Sequence, residues 1–263
     1  MDDNLENRLR DIALEIKLNS KVPVSSNQKN QNLKKHIFSK DSLIVDISRN
    51  FLNRDIFRDL IKLAAQLNLN KSIQDIFTNK YISTSESKKV SHIYLRNKQS
   101  FNKSLEKIIK LYENIKKGVL RSNTGEKFEY IVYVGIGGSL IGPKILSESL
   151  RDYHTNFFKC FYVSSVDCSE INDVLKNCDL DKTLFIFASK SFTTREVLMN
   201  LAYIKSKYTS KRHIRDAMKS NFFAITANAD NAKKEGFTAS KIILFSKNIP
   251  GRFSLTSVIS LPI

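Results

Sequence analysis

The sequence has no tryptophan, only three cysteines, four prolines and eight glycines among 263 residues. Cys160, Cys168 and Cys178 form no CxxC pair and leave an odd thiol. That argues against a disulfide framework and fits a reducing cytoplasm. The four histidines are scattered without metal-ligand spacing, so no metal is expected. No apolar run is long enough to span a bilayer. The start, Met1-Asp2-Asp3-Asn4, lacks the basic-then-apolar order of a secretory leader. The expectation is a cytoplasmic chain with no membrane partner.

Acidic residues are also few. Lys and Arg number 43 against 26 Asp and Glu, a net charge of +17. Such a charge invites a nucleic-acid reading. The lysines, however, are spread over the whole chain, and no basic run is interleaved with aromatics. They accompany many Asn, Ile and Ser, which reads as a compositional bias, and a protein that binds a phosphorylated metabolite would also gain from long-range attraction. Nucleic acid is therefore not expected as a partner.

What is there is one dense stretch. Four of the eight glycines, Gly135, Gly137, Gly138 and Gly142, fall within eight residues. They follow Tyr130-Ile131-Val132-Tyr133-Val134, a run without polar alternation that reads as a parallel strand covered on both faces. Pro143 suits a first helical position. The unit reads as strand, glycine turn and helix, whose free N–H groups and dipole favour an anion. The final glycine of GxGxxG is missing, and no Gly-Lys-Ser/Thr follows, so neither a dinucleotide fingerprint nor a P-loop is present.

Before this unit the spacing predicts helices over 5–18 (Leu5, Leu9, Ile12, Ile16), 51–69 (Phe57, Leu60, Ile61, Ala64, Leu67) and 100–117 (Leu105, Ile108, Ile109, Tyr112, Ile115), each packing an apolar face. Residues 20–40 are polar and read as a loose linker. A brief extended segment is expected over 43–47. After it, apolar runs at 130–134, 157–163, 183–188, 222–226 and 241–245 alternate with helical stretches at 143–150, 170–177, 194–208 and 229–235. The fold class is α/β: a doubly wound, five-stranded parallel sheet with an N-terminal helical extension. Ligands of such sheets bind beyond the carboxyl ends of the strands.

A second unusual strand end is Ala188-Ser189-Lys190-Ser191-Phe192-Thr193-Thr194-Arg195-Glu196. Capping a helix needs one hydroxyl. Four hydroxyls and a lysine form an anion cradle, with O–H and N–H donors for phosphate oxygens. Thr193 and Glu196 have capping-box spacing.

Together these motifs resemble the glucose-6-phosphate isomerase family. The residues that carry the resemblance are Val134-Gly135-Ile136-Gly137-Gly138-Ser139, Ile141-Gly142-Pro143, Tyr162-Val163-Ser164-Ser165-Val166-Asp167 and 187–194. Gly251-Arg252-Phe253-Ser254-Leu255-Thr256-Ser257-Val258-Ile259 resembles the start of a further family signature. The resemblance runs from about Leu43 to the last residue and implies a sugar-isomerase (SIS) fold. It implies boundaries of 1–42 (polar extension), 43–122 (helical region), 123–249 (sugar-phosphate-binding domain) and 250–263 (start of a following segment).

For the site, the resemblance implies that Ser189, Ser191 and Thr194, with the backbone at Lys190, hold a substrate phosphate. Gly138 and Ser139 would contact the sugar, and Arg252 would stabilise an enediolate. The implied reaction is aldose–ketose isomerisation of glucose 6-phosphate to fructose 6-phosphate, in glycolysis and gluconeogenesis, without metal or organic cofactor. The implied assembly is a homodimer. Pro250, Thr256, Ser260, Ser165, Ser191 and Arg195 depart from the family's pattern. The family's glutamate base, ring-opening histidine and C-terminal lysine have no counterpart within the 263 residues, and His36, His92, His154 and His213 match no motif. The resemblance thus implies a partial chain that binds phosphate and is inactive alone. The alternative is a non-catalytic SIS module that binds a sugar phosphate.

Overall fold

A computed structural model describes residues 3–18, 37–47, 50, 54–83, 87–96, 98–153, 158–208 and 210–260. The chain divides into two compact units, 1–78 and 79–263.

The first unit contains α1 (Asp3–Leu18), the hairpin β1 (Ile37–Lys40) and β2 (Leu43–Asp46), α2 (Arg54–Gln66) and α3 (Leu69–Phe77). The hairpin corrects the linker reading at its end: 37–40 pairs antiparallel with 43–46 through a tight turn with Asp41 at φ 55°. The remainder of that polar stretch, 20–36, lies outside the described residues. Aspartate tolerates the left-handed region better than most residues. Asp59 of α2 is buried and is held by Arg8 of α1 at 3.1 Å and by Lys62 at 3.5 Å. The expected apolar face of α2 is only partly covered. Phe57 and Ala64 are half-buried, whereas Leu60, Ile61 and Leu67 stay exposed. Periodicity reports which residues share a face, not whether anything covers it.

The second unit opens with a short ribbon, β3 (Ile82–Ser83) and β4 (Lys88–Lys89), and a 3₁₀ turn at His92–Arg96. Helix α4 (Lys98–Lys116) leads to the sheet. It buries Ile108 and Ile115, while Ile109 and Tyr112 face solvent, against the expectation for those two.

The sheet consists of β5 (Tyr130–Gly135), β6 (Lys159–Val163), β7 (Thr183–Ala188), β8 (Phe222–Thr226) and β9 (Ile242–Leu244). All pairs are parallel, in the spatial order β6-β5-β7-β8-β9. The connecting helices are α5 (Ile141–Ser149), α6 (Cys168–Lys176), α7 (Arg195–Ser206), α8 (Lys211–Ser220) and α9 (Ala229–Lys234). Five parallel strands and their crossovers match the fold read from the sequence. Helix α8 was not anticipated, because half of its residues are charged. Ser210 starts it by accepting from the His213 N–H at 3.0 Å, and Ala217 and Met218 are its buried contacts.

Successive residues of a strand point to opposite faces, and the core divides accordingly. Val132, Val134, Phe185, Phe187 and Phe222 pack with Val197, Leu201 and Ile204 of α7. Ile131, Tyr133, Leu184, Ile186 and Ile225 pack with Ile108 of α4 and with Val258 and Ile259. The Tyr133 hydroxyl donates to the Ile259 carbonyl at 2.6 Å, pinning the last described residues onto the sheet. Burial holds that phenol well above its ordinary pKa.

One ionisable group sits uneasily in this core. Lys241, just before β9, is 7% exposed. Its ammonium donates to the Ser220 carbonyl at 3.1 Å and lies 4.2 Å from the Phe223 ring centre. Burial pushes its pKa down to about 8. An unfolded lysine titrates near ~10.4. Below pH 8 both states are charged and the fold carries the full desolvation cost, which fades as pH rises toward the unfolded value. Lys241→Met is therefore expected to stabilise the protein by about 2 kcal/mol at pH 7, and this gain should shrink from about pH 8 upward and be largely gone by about pH 10. Urea midpoints at the two pH values check it; an equal gain at both would contradict the assignment.

Candidate active site at the carboxyl ends of β5 and β7

The chain runs from β5 outward to β6, then crosses back to lay β7 on the other side of β5. The connections reverse direction there, which opens a crevice beyond the carboxyl ends of β5 and β7. Gly135 and Ala188, the last residues of the two strands, are register partners. The two stretches singled out from the sequence therefore emerge side by side.

On the β5 side a 3₁₀ turn, Gly137–Ser139, precedes α5. Gly137 has φ 55°, a conformation that favours glycine. Gly138 is there for a different reason. A Cβ on it would lie 2.6 Å from the Gly251 carbonyl oxygen and 2.8 Å from its carbon. The Ser254 hydroxyl bonds both the Gly138 carbonyl, at 3.2 Å, and the Gly251 carbonyl, at 2.5 Å. The 3₁₀ turn Gly251–Thr256 thus lies directly on the glycine turn. The backbone of Arg252 is brought to Gly138 and Ser139 across more than a hundred residues of sequence. Helix α5 starts at Ile141, two residues earlier than expected, with Pro143 buried in its first turn, where a missing N–H costs nothing.

On the β7 side the loop 189–194 is bonded within itself. Ser189 is 2% exposed. Its hydroxyl accepts from the Phe192 N–H at 3.1 Å and meets the Thr194 hydroxyl at 2.8 Å. The exposed Ser191 hydroxyl meets that of Thr193 at 2.7 Å and accepts from the Thr193 N–H at 3.2 Å. Phe192 has φ 52°, yet its ring is buried against Phe237, 5.5 Å away and edge-on. Thr194 is the N-cap of α7 without a side-chain capping bond, its hydroxyl being turned to Ser189 instead. The capping box expected from Thr193 and Glu196 is therefore not formed: the helix begins one residue later, which makes Glu196 the second helical residue.

The neighbouring tips supply residues that sequence reasoning missed. From β8, the Thr226 hydroxyl and the Ala227 N–H both donate to the Lys190 carbonyl, at 3.2 and 3.0 Å. The Asn231 side-chain amide of α9 donates to the Ser191 carbonyl at 2.9 Å. From β6, Glu170 accepts from the Ser164 and Ser165 N–H groups at 3.1 and 2.7 Å, and Asn200 of α7 donates to the Ser165 carbonyl at 2.9 Å. Asp167 caps α6 by accepting from the Ser169 N–H, which holds its carboxyl below the usual range. Apart from the Asp167 cap, these bonds join residues from 5 to 40 positions apart, so no local spacing announces them.

The arrangement gathers hydroxyls and the N-terminal end of α7 beyond the ends of β5 and β7. Among the described residues no group of three or more His, Cys, Asp or Glu is placed to hold a metal ion. No described helix is long and apolar enough to cross a membrane.

A doubly wound parallel sheet with a crevice at its switch point is shared by several classes of α/β fold; sequence and structural relatives place this one in the sugar-isomerase class. The family model described as Phosphoglucose isomerase matches residues 46–263. The chain belongs to the phosphoglucose isomerase family. The glucose-6-phosphate isomerase of Shewanella frigidimarina is 32% identical over 234 residues, which take in 84% of this chain and 43% of that protein. That of Buchnera aphidicola subsp. Cinara cedri is 33% identical over 235 residues, with the same two shares. The crystal structure of a glucose-6-phosphate isomerase from Chlamydia trachomatis superimposes with a TM-score of 0.67 at 22% identity, covering 91% of this chain and 47% of that one. The chain spans less than half the length of these relatives.

Proposed function

We propose that the chain carries the phosphate-binding part of a glucose-6-phosphate isomerase, in which residues 123–249 hold the substrate. In this reading the loop of Ser189, Lys190, Ser191 and Thr194 receives the phosphate. Ser191 is its exposed hydroxyl, and Ser189 acts largely through the loop that it braces. Gly138 and Ser139 meet the sugar. Arg252 supplies a fixed positive charge where the enediolate develops as a proton moves between C2 and C1. One charge-directed donor of this kind lowers such a barrier by roughly 3 kcal/mol. No base for the proton is assigned within this chain, so the chain alone is proposed to bind without turnover, and assembly as a homodimer is part of the same reading.

The observation that carries the proposal is the convergence of three sequence-distant segments, 135–139, 189–194 and 251–256, in a member of this family. The test pairs calorimetric titration of glucose 6-phosphate with a coupled isomerase assay. Binding that glucose does not match, without turnover, is expected. Turnover that survives Arg252→Ala would overturn the role given to Arg252. Absence of any preference for the phosphorylated sugar would overturn the whole reading.

A further inference from the structure

We propose that Asn231 is a positioning residue of the cradle: it holds the Ser191–Phe192 peptide, while Thr226 and the Ala227 N–H hold the preceding Lys190–Ser191 peptide, so that the Ser191 N–H stays turned toward the phosphate. This rests on the phosphate reading given above. Three donors beyond β8 tie down two successive carbonyls of the loop. Lys190 C=O accepts from Ala227 N–H and the Thr226 hydroxyl, and Ser191 C=O accepts from the Asn231 amide. The described chain has no cis peptide bond, and in a trans peptide the N–H points opposite to the C=O. The Lys190 carbonyl is drawn toward β8, so the Ser191 N–H faces the other way. The sheet order places β5 and its glycine turn on that other side of β7. Among the described residues no acceptor meets the Ser191 N–H, whereas the next one, of Phe192, is taken up by Ser189 Oγ.

The Asn231 contact is not explained by helix α9. The start of that helix is capped by the Asn228 side chain, which accepts from the Asn231 backbone N–H at 3.1 Å. Truncating the Asn231 side chain leaves that bond in place. The carbonyl partner also fixes the chemistry, since only the amide nitrogen can donate to it.

The experiment uses the full chain with inorganic phosphate as the probe, read by calorimetry and by the ¹⁵N–¹H shift of Ser191. In the wild type, phosphate is expected to move the Ser191 signal saturably. Asn231→Ala is expected to raise the dissociation constant about 5- to 10-fold and to shrink the Ser191 shift, with the thermal midpoint little changed. Asn231→Asp keeps the side-chain shape but sets a carboxylate against the carbonyl; it should bind at least as weakly, and it decides the matter should the alanine variant unfold. Thr226→Ser, which keeps the hydroxyl, should bind as the wild type does. Unchanged affinity and an unchanged Ser191 shift in both Asn231 variants would overturn the inference while leaving the phosphate site standing. A wild-type chain whose Ser191 signal ignores phosphate would overturn both.

Discussion

Gly138→Ala is expected to destabilise the protein by about 1–3 kcal/mol, the range for forced overpacking, and to abolish sugar-phosphate binding at the same time. The added methyl would sit 2.6 Å from the Gly251 oxygen and 3.2 Å from its Cα, and its three nearest atoms are all backbone. A flexible side chain could swing aside; a 3₁₀ turn held by Ser254 and Ser257 can move only as a piece. Moving it takes Arg252 away from the glycine turn. Gly137 provides the internal control. A Cβ there meets nothing within 4 Å, so Gly137→Ala should cost only the strain of its φ of 55°, about 1–2 kcal/mol. Urea unfolding of both variants, with titration of glucose 6-phosphate, separates a steric effect on the Gly251–Thr256 turn from a local backbone effect. Loss of glucose 6-phosphate binding in Gly137→Ala as complete as in Gly138→Ala would contradict the steric account.

Phe192→Ala should have the larger effect on stability, about 3–5 kcal/mol as for other deletions of buried rings. The residue holds a left-handed conformation that an aromatic side chain adopts only when its surroundings enforce it. What enforces it is burial: the ring is 1% exposed and edge-on to Phe237, in the same cluster as Phe187. The strain bends the chain back so that the Phe192 N–H reaches Ser189 and the hydroxyls crowd at the start of α7. Phe192→Gly loses the same ring but, unlike alanine, carries no strain at this positive φ, and should recover up to about 1 kcal/mol relative to alanine. Unfolding midpoints of the two variants test this; an alanine variant as stable as the glycine variant would show that the backbone there relaxes without cost.

The strands were legible because each is a short apolar run, and both faces of the sheet are covered, so nothing polar interrupts Val132 or Phe185. Their adjacency was not in the runs themselves; it comes from the strand order, which places β7 beside β5 instead of beside β6. Helix α8 escaped because Lys211, Arg212, Arg215 and Lys219 mask the three-four spacing of Ile214, Ala217 and Met218. At the hairpin the segment 43–46 was read as extended, but its partner strand 37–40 escaped because it is exposed and its residues are mixed. At the site, the hydroxyl cluster and glycine turn could be read directly, and so could the family to which they point. The bracing could not. Asn231 is ordinary in its own segment and gains meaning only through a bond to Ser191, 40 residues away. Likewise nothing local distinguishes Gly138 from Gly137, although one is fixed by a neighbouring backbone and the other by its own φ.

The most direct test of the central claim is to follow backbone amide signals of the full chain during titration with glucose 6-phosphate, beside a titration with glucose. The phosphorylated sugar should shift Ser191 and Thr194 together with Gly138 and Ser139, saturating at one common concentration, while glucose leaves the 189–194 signals in place. If the 189–194 amides stay unmoved by glucose 6-phosphate, or if they and the 138–139 amides saturate at unrelated concentrations, the two strand tips do not form one phosphate-sugar site.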